Sequence, residues 1–290
     1  MRGHSVARFL LALLILATSA CTAADKPELD ATSQRFPITS LLDTDSSQPS
    51  CPVTEHRDPP RLLDITAYGL EGPLWWNPGQ AYKVNWQVEN PTREENNYAP
   101  IGVRLRLYGS ERDEYALELT PRPSLVSFPG AGCWTLTVER ADERAETTLF
   151  IRQDIPRALV LSDRDSVPPN PDEATVDPVL SDLAPLLQVL EQAEWRPAPD
   201  DLQGIRLNLI WESGWRQPML YTPSRNGEGP LLVVQKSFLI GRCDEAGYVA
   251  VPLPDSLATT IGQKAQDWPE TIVRDLPQFA SSCMTFLPAN

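Results

Sequence analysis

Histidine and lysine are scarce. The 290-residue chain has two histidines, His4 and His56, and four lysines, Lys26, Lys83, Lys236 and Lys264. A Ser-His-Asp or Cys-His nucleophile would have to be built on His56 alone once an N-terminal leader is removed. His56 stands in a Pro-rich stretch and reads as a solvated loop residue. No lysine has a serine three residues before it, which excludes the Ser-x-x-Lys nucleophile pattern. A His-Glu-x-x-His zinc motif, a phosphate loop and a dinucleotide glycine fingerprint are also missing. Positive charge is short overall, with 25 basic residues against 39 acidic ones, a formal charge of −14 and a pI of about 4.6. Phosphate backbones repel such a chain, so no nucleic-acid partner is expected. Anionic lipid offers it no electrostatic attraction either. No cofactor and no resident metal are expected.

Long apolar runs are also lacking, with one short exception. Phe9 to Ala17 (FLLALLILA) follows Arg2 and Arg8 and precedes the small residues Thr18, Ser19 and Ala20. Positive charge, a short apolar stretch and small residues make an export signal over residues 1–20, too short to span a bilayer of ~30 Å. Cys21 comes next. Ser19, Ala20 and Cys21 resemble the lipobox of bacterial lipoproteins, with Thr18 standing where that family prefers an aliphatic residue. The resemblance implies cleavage before Cys21 and acylation of its sulfur and amino group, as in palmitate-bearing lipoproteins. The protein would then sit in the cell envelope, lipid-anchored on the extracytoplasmic side of a bacterial membrane. The rival reading is ordinary secretory cleavage after Ala20, with Cys21 left as a plain thiol. Either way the leader removes two arginines and no acid, leaving a charge of −16.

Four further cysteines, Cys51, Cys133, Cys243 and Cys283, remain in the exported body. Four exported cysteines suggest two disulfides, and four allow three connectivities. The chain's organisation favours Cys51–Cys133 and Cys243–Cys283. No two of them have the close spacing of a zinc site.

Proline, at 29 residues, is abundant and argues against a predominantly helical fold. Residues 21–50 are polar and read as a lipid-anchored flexible tether. Residues 51–153 read as antiparallel strands. Tyr82, Val84, Trp86 and Val88 alternate with polar residues, as do Ile101, Val103, Leu105 and Leu107, and then Trp134, Leu136 and Val138. Pro78-Gly79 and Pro129-Gly130 mark turns between the runs. The stretch Phe128-Pro129-Gly130-Ala131-Gly132-Cys133-Trp134 resembles Ig-like domains of bacterial surface proteins. That resemblance implies an Ig-like β-sandwich with Trp86 and Trp134 in its core. Residues 154–290 read as an α+β domain with an antiparallel sheet. Asp154 to Asp177 reads as a linker around the apolar run Ala158–Leu161. A helix is expected from Asp177-Pro178 to Glu194, kinked at Pro185. Strands are expected at 205–211, 218–221, 231–234 and 248–251, with Asn226-Gly227 as a hairpin turn. A last helix is expected from Ser256, kinked at Pro269 and continuing through Ile272, Val273 and Leu276.

Chemistry is thin. Glu212 and Asp244 are the best candidates for paired carboxyls. The acids around Ser162–Ser166 with Asp172, Glu173 and Asp177 lack the spacing of a calcium loop and read as linker and helix cap. Aromatic residues offer the better opening. Trp75 and Trp76 lie between Pro73 and Pro78, and Trp215 and Tyr221 cluster after Trp211. Exposed rings there would form a binding surface for an envelope protein or a glycan. The expectation is a non-catalytic, lipid-anchored binding or structural module. The alternatives are an envelope hydrolase using paired carboxylates and a solute-binding lipoprotein.

Overall fold

The computed structural model describes residues 37–42, 51–53, 55–89, 100–110, 114–162, 178–224, 227–276 and 283–289. The expectations placed on Cys21, on Asn226 and on the acids between 163 and 177 fall outside these residues.

Strands dominate, as the proline content and the two-residue alternation require. In chain order the first are β1 (Arg61–Leu62), β2 (Ile65–Tyr68), β3 (Leu74–Trp76), β4 (Tyr82–Val88), β5 (Ile101–Leu107) and β6 (Glu114–Leu119). Next come β7 (Pro123–Ser127), β8 (Gly132–Arg140), β9 (Glu143–Gln153), β10 (Pro156–Leu161), β11 (Arg196–Pro197) and β12 (Gln203–Trp211). The last are β13 (Arg216–Thr222), β14 (Leu231–Gln235), β15 (Tyr248–Pro252), β16 (Glu270–Ile272), β17 (Cys283–Thr285) and β18 (Leu287–Pro288). The helices are α1 (Ala184–Gln192), α2 (Lys236–Ile240) and α3 (Asp255–Ala265).

Three sheets result. The first runs β1-β2-β4-β7-β17, and the second β18-β6-β5-β8-β9-β3. The third runs β10-β12-β13-β14-β15-β11, with β16 also on β12. Pairing is antiparallel except for β3 on β9 and β17 on β7. One apolar cluster joins all three sheets. It holds Val84, Trp86 and Val126 from the first, Leu105, Leu136 and Leu149 from the second, and Leu207, Leu209 and Leu232 from the third, with Leu187 of α1 and Ile261 of α3. Trp86 and Trp134 are both buried, on the apolar phase of their strands.

Several elements depart from the sequence pattern for physical reasons. Proline 185 does not kink a helix but starts one, because its missing N–H costs nothing in the first turn. The preceding Leu180 instead bridges Leu159 as extended chain. The apolar run read as part of a linker is β10, paired along β12 from Leu161↔Leu207 to Pro156↔Trp211. Beyond Pro269 the chain turns extended as β16, since proline at that position blocks continuation of α3. The five-residue α2 was not legible. It ends at Gly241, whose φ of 67° is the left-handed conformation that closes helices.

The tether expectation also needs correction at residues 37–42. Ile38–Leu42 form one 3-10 turn docked on α1. Ile38 and Leu41 are fully buried, and Thr39 Oγ1 donates to Glu191 Oε2 at 2.6 Å. The three-residue spacing of Ile38 and Leu41 puts both side chains on one face of that turn.

The end of the chain returns to the sheets built by residues 61–153. Strand β17 lies parallel on β7, and β18 lies antiparallel on β6. Between them Phe286 is buried and stacks on Phe128, with ring centroids 5.9 Å apart. Both disulfides take the favoured pairing: Cys51–Cys133 with Cα atoms 5.6 Å apart and Cys243–Cys283 at 5.9 Å. The second bridge ties the loop after α2 to the edge strand β17.

Candidate functional site

The aromatic expectations divide. Trp76 is 5% exposed, with its indole Nε1–H donating to Phe128 O at 3.0 Å. Tyr221 is also 5% exposed, with its hydroxyl donating to Ala258 O at 3.2 Å. Both rings are covered in this structure, so neither presents the exposed surface the sequence suggests. Trp76 falls on the inward phase of β3, while Tyr221 lies in β13, where both phases are buried from Gln217 to Thr222. Trp75 is half-buried on the opposite phase, with the Arg152 guanidinium 5.6 Å from its ring. Trp215 is half-buried against the core.

These two regions are joined by a residue that sequence reasoning had placed in a linker. Asp154 is fully buried between β9 and β10. Its Oδ1 accepts the backbone N–H groups of Ile155 at 3.1 Å and Ser213 at 3.0 Å. Its Oδ2 accepts from Asn77 Nδ2 at 2.9 Å and from Ser213 Oγ at 2.6 Å. The Asp154 N–H in turn donates to Trp76 O, and the Trp215 N–H donates to Ser213 Oγ. One carboxylate thus pins the Asn77–Gln80 turn and the Ser213 turn to the β9–β10 connection. Four donors are what a buried carboxylate without a cation needs. A single aspartate in a proline-rich stretch gives no sequence signal for this.

Beside it, Tyr82 caps the edge strand β3. Its hydroxyl donates to Trp75 O and accepts the Trp75 N–H, both at 2.5 Å. Burial pushes the phenol up from 10.0 to about 12; the bond to Trp75 opposes this and the charge of Asp154 adds to it. An unfolded tyrosine ionises near ~10, so the folded chain holds this proton more tightly. The resulting stability is complete below pH 10 and is lost as pH rises from 10 to about 12. Unfolding free energies from urea titrations across that window should fall with pH. Tyr82→Phe should flatten the fall by up to about 1.4 kcal/mol per pH unit. An unchanged slope would remove Tyr82 from the account.

Each of the two candidate carboxyls is engaged by an arginine. Glu212 is engaged by Arg157 at 2.7 Å. Asp244 is engaged by Arg242 at 2.5 Å. Burial raises the Asp244 carboxyl, but the hydrogen bond and charge of Arg242 outweigh it, and the net direction is down. A general acid needs the opposite shift. His56 is less free than a solvated loop residue: its ring Nε2 lies 2.7 Å from Thr148 O, and its backbone bridges Gly72. Among the described residues no group of three or more His, Cys, Asp or Glu is placed to hold a metal ion. No helix among them is long and apolar enough to cross a membrane.

The outward face of the second sheet carries a row of polar groups. Cross-strand pairing lines up Arg106, Thr135 and Thr148, and beside them Arg104, Thr137 and Glu146. Arg104 pairs with Glu139 at 3.1 Å and Glu114 at 3.3 Å. Arg144 pairs with Glu146 at 2.6 Å, and its hydrogen bond holds the Glu146 carboxyl below its ordinary value. Exposed pairs of this kind add little stability. Two shallow clefts open on this face. One, of about 440 Å³, is lined by Arg104, Glu118 and Glu139. The other, of about 420 Å³, is lined by Arg106, Tyr108, Thr135, Glu146 and Thr148. Comparison with protein-family models, with curated proteins and with solved structures gives no match to the chain.

Proposed function

We propose that the chain is an exported bacterial lipoprotein. In this reading Cys21 is acylated after removal of residues 1–20 and holds the protein on the extracytoplasmic side of a membrane. The body acts there as a non-catalytic binding or structural module for an envelope protein or a glycan. Residues 51–153, joined at their sheet edges by β17 and β18, are its Ig-like β-sandwich, and the rest of residues 154–290 is its α+β domain. The observation that carries the reading is the sequence of positive charge, nine apolar residues, small residues and Cys21. Two disulfides in the body fit an oxidising compartment. The sandwich reading draws support from the shared apolar cluster, to which the first sheet gives Ile65, Ala67 and Val84 and the second Val103, Leu136 and Val138.

Growth with a labelled fatty acid tests the anchor. The wild-type protein should carry label and sediment with membranes. Cys21→Ser should carry none and leave the membrane fraction, because stable attachment takes more than one acyl chain or signal. Equal labelling of the two would end the proposal.

A further inference from the structure

The cleft at the end of β5 differs from its neighbour in what is left unengaged. In the Arg104 cleft the guanidinium is tied to Glu139 and Glu114, and no aromatic ring lines the wall. In the second cleft Arg106 has no salt-bridge partner among the described residues, although its field reaches Glu146. The bonds that Glu146 accepts from Arg144 and Thr137 all go to Oε1, so Oε2 takes none of them. Thr135 is 9% exposed, and its hydroxyl and that of Thr148 take no partner among the described residues. Tyr108 closes one end of the cleft and is 41% exposed. Its N–H donates to Cys133 O at 2.8 Å, and Cys133 is bridged to Cys51, so the base of this aromatic residue is held in place.

We infer that this cleft is a subsite for a neutral saccharide. The inference rests on the binding-module reading above and narrows its partner to a glycan. A guanidinium donates and a carboxylate oxygen accepts, while threonine hydroxyls do either. Side by side they match the neighbouring hydroxyls of a sugar ring. The phenol offers a flat apolar surface for the C–H face of that ring. A volume of about 420 Å³ falls within the range of small-ligand sites. An anionic ligand is disfavoured by the Glu146 carboxylate in the lining and by the chain's net charge of −14. Glycine 109 beside the tyrosine adds no side chain to block the entrance.

The test uses the full chain with its disulfides intact, titrated by calorimetry with cellopentaose, chitopentaose and maltopentaose, and with dextran sulfate as the anionic probe. At least one neutral pentasaccharide should bind with a Kd of about 1 mM or tighter. Tyr108→Ala and Thr135→Val should each weaken it about tenfold, while Tyr108→Phe keeps the affinity. Tyr68 is equally exposed, at 41%, but lies on the first sheet, so Tyr68→Ala should bind as wild type. Thermal melts establish that each variant is folded, and Thr135→Val, close in shape, serves if Tyr108→Ala is not. No binding of any neutral pentasaccharide, binding of dextran sulfate alone, or full affinity in Tyr108→Ala and Thr135→Val would overturn the inference. Fatty-acid labelling at Cys21 reads the anchor independently, so either result can fail without the other.

Discussion

Asp154→Ala is expected to cost about 3–5 kcal/mol of folding stability, a large part of what a domain has. Four donors converge on this fully buried carboxylate. Removing the acceptor leaves the N–H groups of Ile155 and Ser213 and the Ser213 hydroxyl without it. An orphaned donor shielded from water costs roughly 1–3 kcal/mol, reduced where a water or a small shift supplies a substitute, as half-buried Ile155 and Ser213 allow. Asn77 keeps one bond, to Gln80 Oε1 at 2.6 Å, so its share of the loss is smaller. Asp154→Asn should not rescue: an amide turns an NH₂ toward at least one donor. Ser213→Ala alone should cost only about 1–2 kcal/mol. The pair should be non-additive, because the second change removes a bond the first has already broken. Urea denaturation at neutral pH measures all of these. A loss below about 1 kcal/mol for Asp154→Ala would mean that solvent replaces the four donors.

Loss of either disulfide is the second large effect. The bridges close loops with sequence separations of 82 and 40. On the chain-entropy account those loops contribute about 4.5 and 4 kcal/mol respectively, by restricting the unfolded chain. The Cα separations lie within the normal range for a disulfide. Paired alanine substitutions should therefore lower stability by amounts of this size. The local consequences should differ. Without Cys243–Cys283, β17 and β18 are held by three and two paired residues and by Phe286. Hydrogen exchange should then speed up first along β17, β18 and the strand edges they cover. Without Cys51–Cys133, exchange should rise around residues 51–53 and leave β17 protected. Uniform exchange in both variants would show that the bridges act only on the unfolded chain.

Strands with one wet face are legible in the sequence alone. Tyr82–Val88 and Ile101–Leu107 came out with the bounds their alternation suggests, and Trp86 and Trp134 went inward on phase. Alternation is a property of neighbours in sequence, and burial of one sheet face enforces it. Cysteine count and chain order likewise suggested the two bridges. The cleft at Arg106 and Tyr108 was not foreseen. It depends on which of several similar outward residues find partners across strands, and pairing Arg104 with Glu139 rather than Arg106 leaves no trace in composition.

Elsewhere local pattern was misleading or silent. Pro156–Leu161 looks like a linker because its strand partner, Gln203–Trp211, lies some fifty residues further on. Leu41 sits in a polar stretch and is buried only because α1 arrives to cover it. Asp154 became the joint between two turns because Asn77 and Ser213, each at least 59 residues away, converge on it. Residue spacing sets which way a side chain points along a strand or helix. Whether that direction ends in water, in the core or against four hydrogen-bond donors depends on what distant segments bring there, and folding alone supplies that.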